Sequence, residues 1–241
     1  HYHGRGGRVY PLWRDAAATQ PNVRSQLLAL LAKTHVGLTA EDVFAYIDAV
    51  MAHPAFTARF QDDLVQPGLR LPLTADAKLF AEAVSIGREI IWLHTYGERF
   101  TDKDAGRPKS APRMKDKAPT IPEDGAIPGA PEPLPDMMDY DDGKHRLRVG
   151  KGYVENVTKA MWEYEVSGKQ VLWQWFSYRR RDRSRPIIGY RRPPSPLDKI
   201  QPDHWLPEST GDLLDLLNVL GRLIALEPRQ ADLLTRICDD R

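Results

Sequence analysis

Apolar residues recur at two different spacings along this chain, and the change of period divides it. From Ser25 to Arg99 the spacing is helical. A short leucine-rich helix is expected over Ser25–Lys33. Thr39, with Asp42 three residues on, is a capping signal for a helix in which Val43, Phe44, Ile47, Val50 and Met51 share a side until His53-Pro54 stops it. Ala55–Leu64 predicts a third helix, ended near Pro67-Gly68. The longest helix is expected over Asp76–Arg99, with Leu79, Phe80, Ala83, Val84, Gly87, Ile90, Ile91 and His94 in one stripe. Glycine inside a helix costs roughly 1 kcal/mol against alanine, so Gly87 predicts close approach by a neighbour. His94, on the same stripe, reads as a hydrogen-bonded core histidine. Gly7–Trp13 reads as an edge strand, because Pro11 cannot donate to a ladder.

After residue 136 the period falls to two. Met137–Tyr140, Arg146–Val149 and Tyr153–Val157 are expected strands, with Asp142-Gly143 and Gly150-Lys151-Gly152 as turns. A short helix follows at Lys159–Glu165, then an amphipathic one from about Gly168 to Arg181. Residues 183–207 are irregular, with prolines at 186, 193, 194, 196, 202 and 207. Ser209 or Thr210 caps the apolar run LLDLLNVLGRLIAL, and Pro228 opens a last helix to about Cys238, making a C-terminal helical hairpin. Between the two regimes, Thr101–Asp136 holds eight prolines and few large apolar residues. Such a segment reads as a mobile or extended connector. The expected fold is α+β: a helical part (1–100), the Pro-rich connector (101–136) and a small mixed α/β part (137–241).

Composition narrows the classes. A hydrophobic content of 41% and a charged content of 28% are ordinary for a soluble domain, and a net charge of +1 creates no global field. The charge is nevertheless uneven. His1–Arg99 balances ten basic against ten acidic residues, whereas Met137–Glu208 carries fourteen against ten, which puts any polyanion site in the second half. A single cysteine, Cys238, excludes an internal disulfide or a cysteine-built zinc site and reads as a buried structural thiol. No apolar run approaches the roughly 18 residues of a membrane span, and no signal peptide opens the chain, so a reducing, cytoplasmic setting is expected. The chain begins at His1 inside structured-looking sequence and is expected to be a piece of a longer polypeptide.

Within the second half, Lys169–Arg192 holds seven arginines and one lysine against a single acid, Asp182, with four aromatics ahead of the arginines. Wound as a helix at ~100° per residue, it sorts into two arcs. Val171, Leu172, Trp175, Phe176 and Tyr178 would pack inward. Gln170, Gln174, Ser177, Arg180 and Arg181 share the opposite arc. Glutamine and arginine can make bidentate contacts to adenine and guanine edges, so these five are the expected base readers. Lys169, Arg179, Arg183, Arg185, Arg191 and Arg192 are the expected phosphate contacts. A merely solvated basic face remains open on this segment alone.

Catalytic signatures are missing. There is no Gly-rich phosphate loop with its lysine, no Gly-x-Ser-x-Gly, no His-Glu-x-x-His and no clustered His/Cys ligand set. No metal site is expected, and the acidic pairs Asp62-Asp63 and Asp141-Asp142 read as a helix end and a turn.

In order, FAYIDAV, HPAF, GLRLPLT, EAVSIGREIIWLHTYGERF, WEYEVSGKQVLWQWFSYRRR, SPLDKIQPDHW and LLDLLNVLGRLIALEP resemble the C-terminal specificity domain of Type ISP restriction–modification enzymes and related adenine-specific DNA methyltransferases. The resemblance runs from Gly4 to Ile237 and breaks only in the Pro-rich segment. It implies a target recognition domain that holds double-stranded DNA against an N6-adenine methyltransferase domain of the same polypeptide. The Asn/Asp-Pro-Pro-Tyr motif and the S-adenosylmethionine loop of that enzyme do not occur here, so this segment is expected to be catalytically silent, with the cofactor bound elsewhere. Two other readings stay open on the residues alone. One is a coupling domain whose apolar helices dock neighbouring domains while its arginines form internal salt bridges. The other is an RNA binder using Trp173, Trp175 and Tyr178 as stacking platforms.

Overall fold

Thr39 opens α2 (Ala40–Met51) as a reciprocal cap: its hydroxyl accepts from the Asp42 amide at 3.2 Å, and the Asp42 carboxylate accepts from the Thr39 amide at 3.0 Å. This is one of many elements in the computed structural model, which describes residues 9–66, 68, 70–181 and 202–240. Two compact units result. One holds the chain up to Lys109 together with everything from Leu226 onward; the other is Ser110–Ala225. The fold class is α+β, helices with small antiparallel sheets.

In the first unit, α1 (Ser25–Leu31), α2, α3 (Pro54–Arg59) and α4 (Ala77–His94) follow one another. Asp76 caps α4 by accepting from the amides of Lys78 and Leu79. The helix ends at Tyr96 in the left-handed region, with Gly97 N donating to Trp92 O and Tyr96 N to Leu93 O. The α2–α4 contact is built on Gly87: a Cβ there would sit 1.8 Å from the Ala45 carbonyl oxygen, so only glycine lets the backbones meet. Tyr46 stacks on Phe80 at 4.7 Å, and Ala45, Ala83, Ile86, Ile90 and Leu93 are sealed around the contact. His94 is exposed at the last turn instead of lying in the core. Residues 9–13 form no strand beyond a bridge between Trp13 and Pro21.

In the second unit, β1 (Met138–Asp141), β2 (Arg146–Val149) and β3 (Gly152–Val154) form an antiparallel sheet in that order, with Met138 opposite Val149 and Leu147 opposite Val154. Leu147, Val149 and Val154 are fully buried against Met161 of α5 (Lys159–Glu163), Leu172 and Phe176 of α6 (Val171–Ser177), and Leu213 and Leu217. A two-stranded hairpin, β4 (Glu165–Val166) with β5 (Lys169–Gln170), stands between α5 and α6.

Two further expectations change. The Pro-rich segment is packed rather than open. Its Met114, Ile121, Ile127 and Leu134 lie on the core of the second unit. Thr120 and Glu155 exchange both backbone hydrogen bonds, and Met114 N donates to Asn218 Oδ1 at 2.8 Å. Sparse apolar residues suffice because the rest of the segment ties its backbone to elements already ordered. The C-terminal hairpin is instead one helix, α7 (Pro207–Asp239), with Pro228 inside it. Leu226, Leu233, Leu234 and Ile237 are all buried along its last turns, and that burial offsets the hydrogen bond that proline removes. Cys238 is half-buried there, with its thiol pushed up by burial. Among the described residues no helix is long and apolar enough to cross a membrane.

Candidate nucleic-acid interface

The expected recognition helix is shorter than its apolar period suggests. Ser167 and Gly168 adopt φ values of 53° and 71° and turn the chain into the β4–β5 hairpin, so Lys169 and Gln170 are strand, not helix. At the other end, the Ser177 hydroxyl bonds back to Gln174 O at 2.7 Å, and Arg179 N and Arg180 N both donate to Phe176 O. Arg181 N then crosses to Pro135 O at 3.1 Å, which draws the backbone off the helix axis. Gln170, Arg180 and Arg181 therefore do not share a helical face with Gln174 and Ser177.

The apolar arc behaves largely as expected. Leu172 and Phe176 are buried, Val171 and Trp175 pack against the same core, but Tyr178 is 57% exposed. Trp175 meets Trp205 edge-on at 6.2 Å.

The polar candidates divide by what already holds them. Gln170 donates its side-chain amide to Trp162 O, which anchors the hairpin base. The Arg179 guanidinium lies 4.1 Å over the Trp175 ring, donates to Trp175 O and stands 3.5 Å from Asp212. That of Arg180 lies 5.8 Å over Trp173. Arg181 donates through Nε and Nη2 to one oxygen of Asp136, which holds its guanidinium above the ordinary arginine range. Lys169 is exposed and forms no ion pair among the described residues, and the half-buried Gln174 keeps its side-chain amide unengaged there. Arg183, Arg185, Arg191 and Arg192 lie outside the described residues.

The helical reading overlooked the hairpin. Its signal was present as Ser167-Gly168 between short polar-apolar pairs, a turn dipeptide. Exposed Val166 and Trp173 follow from that turn and from the late start of α6 at Val171. Among the described residues no group of three or more His, Cys, Asp or Glu is placed to hold a metal ion.

The model of the Type ISP C-terminal specificity domain matches residues 1–216. No curated protein matches the chain. Among solved structures, a chain of the "cryoEM structure DrdV-DNA complex" superposes with a TM-score of 0.56 at 17% identity, covering 90% of this chain and 20% of that one. The likeness is one of fold, and this chain spans about a fifth of that chain's length.

Proposed function

This chain belongs to the Type ISP C-terminal specificity domain family, and we propose that it recognises a DNA target for a restriction–modification enzyme. The observation that carries this reading is the family match across residues 1–216. The fold shared with a chain of a DNA-bound complex supports it, as does the run of cations from Lys169 to Arg181 in the second unit. In this reading double-stranded DNA is the ligand. The chemistry belongs to an N6-adenine methyltransferase domain elsewhere in the same cytoplasmic polypeptide, which binds S-adenosylmethionine. This chain positions and reads the duplex and performs no bond-making step itself.

Phosphate contacts would supply most of the affinity. Five to seven of them give a log–log salt slope of roughly −4.5 to −6.3, at about −0.9 per contact. Duplex binding measured between low and high salt tests this. A slope in that range supports DNA recognition. No duplex binding at low salt sinks it and favours the coupling-domain reading, for which the Arg179–Asp212 and Arg181–Asp136 pairs are the specific observation.

A further inference from the structure

The β4–β5 hairpin has an inner and an outer face. Residues directly opposite in an antiparallel ladder place their side chains on the same face. Glu165 pairs with Gln170, and Val166 with Lys169. Gln170 is spent on the body of the protein, through its amide to Trp162 O. The Val166–Lys169 face is therefore the one turned away. Val166 is 57% exposed, and Lys169 is exposed with no ion pair among the described residues.

The projection is held in shape. A ladder of two residue pairs is marginal alone. Here Val171 N extends it by donating to Tyr164 O at 2.9 Å, and the Gln170 clamp fixes its base. Gly168 takes the left-handed turn position, and among the described residues nothing lies within 4 Å of where its Cβ would go. The flanking sequence is basic, with five basic residues against two acids from Lys159 to Arg181, of which Lys159, Arg179 and Arg181 are paired with Glu163, Asp212 and Asp136. A stiff two-stranded ribbon carrying an apolar group beside a lysine suits the major groove of a duplex, which admits such a ribbon and offers thymine methyl groups.

We infer that this outer face is a specificity determinant for the DNA target, with Val166 against the C5-methyl of a thymine and Lys169 on an adjacent phosphate. The inference rests on the DNA-recognition reading and moves the reading role from the helix face to the hairpin.

The test selects bound sequences from a randomised duplex library with the full 241-residue chain and with V166S, V166T and K169A. Thymine is then replaced by uracil, which lacks the methyl group, at each position of the recovered motif. The unaltered protein should lose roughly three- to tenfold in affinity at one uracil, the scale of one buried methyl contact. V166S should lose the same factor on thymine and be indifferent to uracil. V166T keeps one γ-methyl and should retain part of the discrimination. K169A should weaken all sequences alike and reduce the salt slope by about one. A motif and a thymine–uracil difference unchanged in V166S overturn the proposal while leaving DNA recognition standing. So does a uniform loss across all sequences in V166S, as would follow if the hairpin served a protein partner or the fold. Absence of any duplex binding by the unaltered chain removes the DNA-recognition reading itself.

Discussion

Arg181 gives both Nε and Nη2 to a single carboxylate oxygen of Asp136, a residue 45 positions earlier in the chain. A guanidinium committed in this way offers little to a base or phosphate until the pair opens. Asp136→Asn removes the competing charge. It should raise duplex affinity and steepen the salt slope by up to about one phosphate contact. Arg181→Ala in the unaltered background should change binding less than Lys169→Ala. Equal salt slopes for the unaltered and Asp136→Asn proteins would show that the pair never competes with DNA.

Gly87 lets the backbone of α4 approach that of α2 at Ala45. Gly87→Ala would gain up to about 1 kcal/mol of helix propensity. It would also place a Cβ 1.8 Å from the Ala45 carbonyl oxygen, a clash with backbone that no side-chain rotation relieves. The net effect should be a loss of about 1–3 kcal/mol, read as a lower urea midpoint. An unchanged midpoint would mean that the helices separate at little cost.

Asp48 on α2 has a buried Oδ2 with no hydrogen-bond partner among the described residues, and burial pushes its carboxyl up to about 6 from an ordinary 3.8. Between those values the folded protein binds more protons than the unfolded chain. Stability therefore falls as pH rises through the window, by about 2–3 kcal/mol from this group. Asp48→Asn should flatten that slope and give its largest relative gain near pH 7. Parallel pH–stability curves for the two proteins would contradict the assignment.

The Pro-rich segment should behave as packed structure. The amides of Thr120 and Glu155 bond to each other's carbonyls and should be protected in hydrogen exchange. Limited proteolysis should spare residues 110–136, since Met114, Ile121, Ile127 and Leu134 lie on a core. Rapid cutting there would show that these contacts open locally.

Wherever the deciding interaction is local, the sequence alone is legible. Thr39 and Asp42 are three residues apart and cap α2 through bonds closed within one turn. The period of two around Leu147 and Val149 marks a strand with one buried face. Gly87 announces a close neighbour because nothing else explains a glycine inside an apolar stripe. The α+β class and the family resemblance rest on signals of this kind.

Tertiary structure decided what depends on partners distant in the chain. Apolar period alone carries a helix to Arg181, yet α6 stops at Ser177 because Arg181 N finds Pro135 O and its side chain finds Asp136. Pro228 looks like a helix start, but burial of Leu226, Leu233 and Leu234 along one side keeps α7 continuous through it. Eight prolines suggest an open connector, and a few apolar side chains with long-range backbone bonds order it instead. In each case a weak local preference, of a few kcal/mol at most, yields to burial and hydrogen bonding that exist only once the chain has folded.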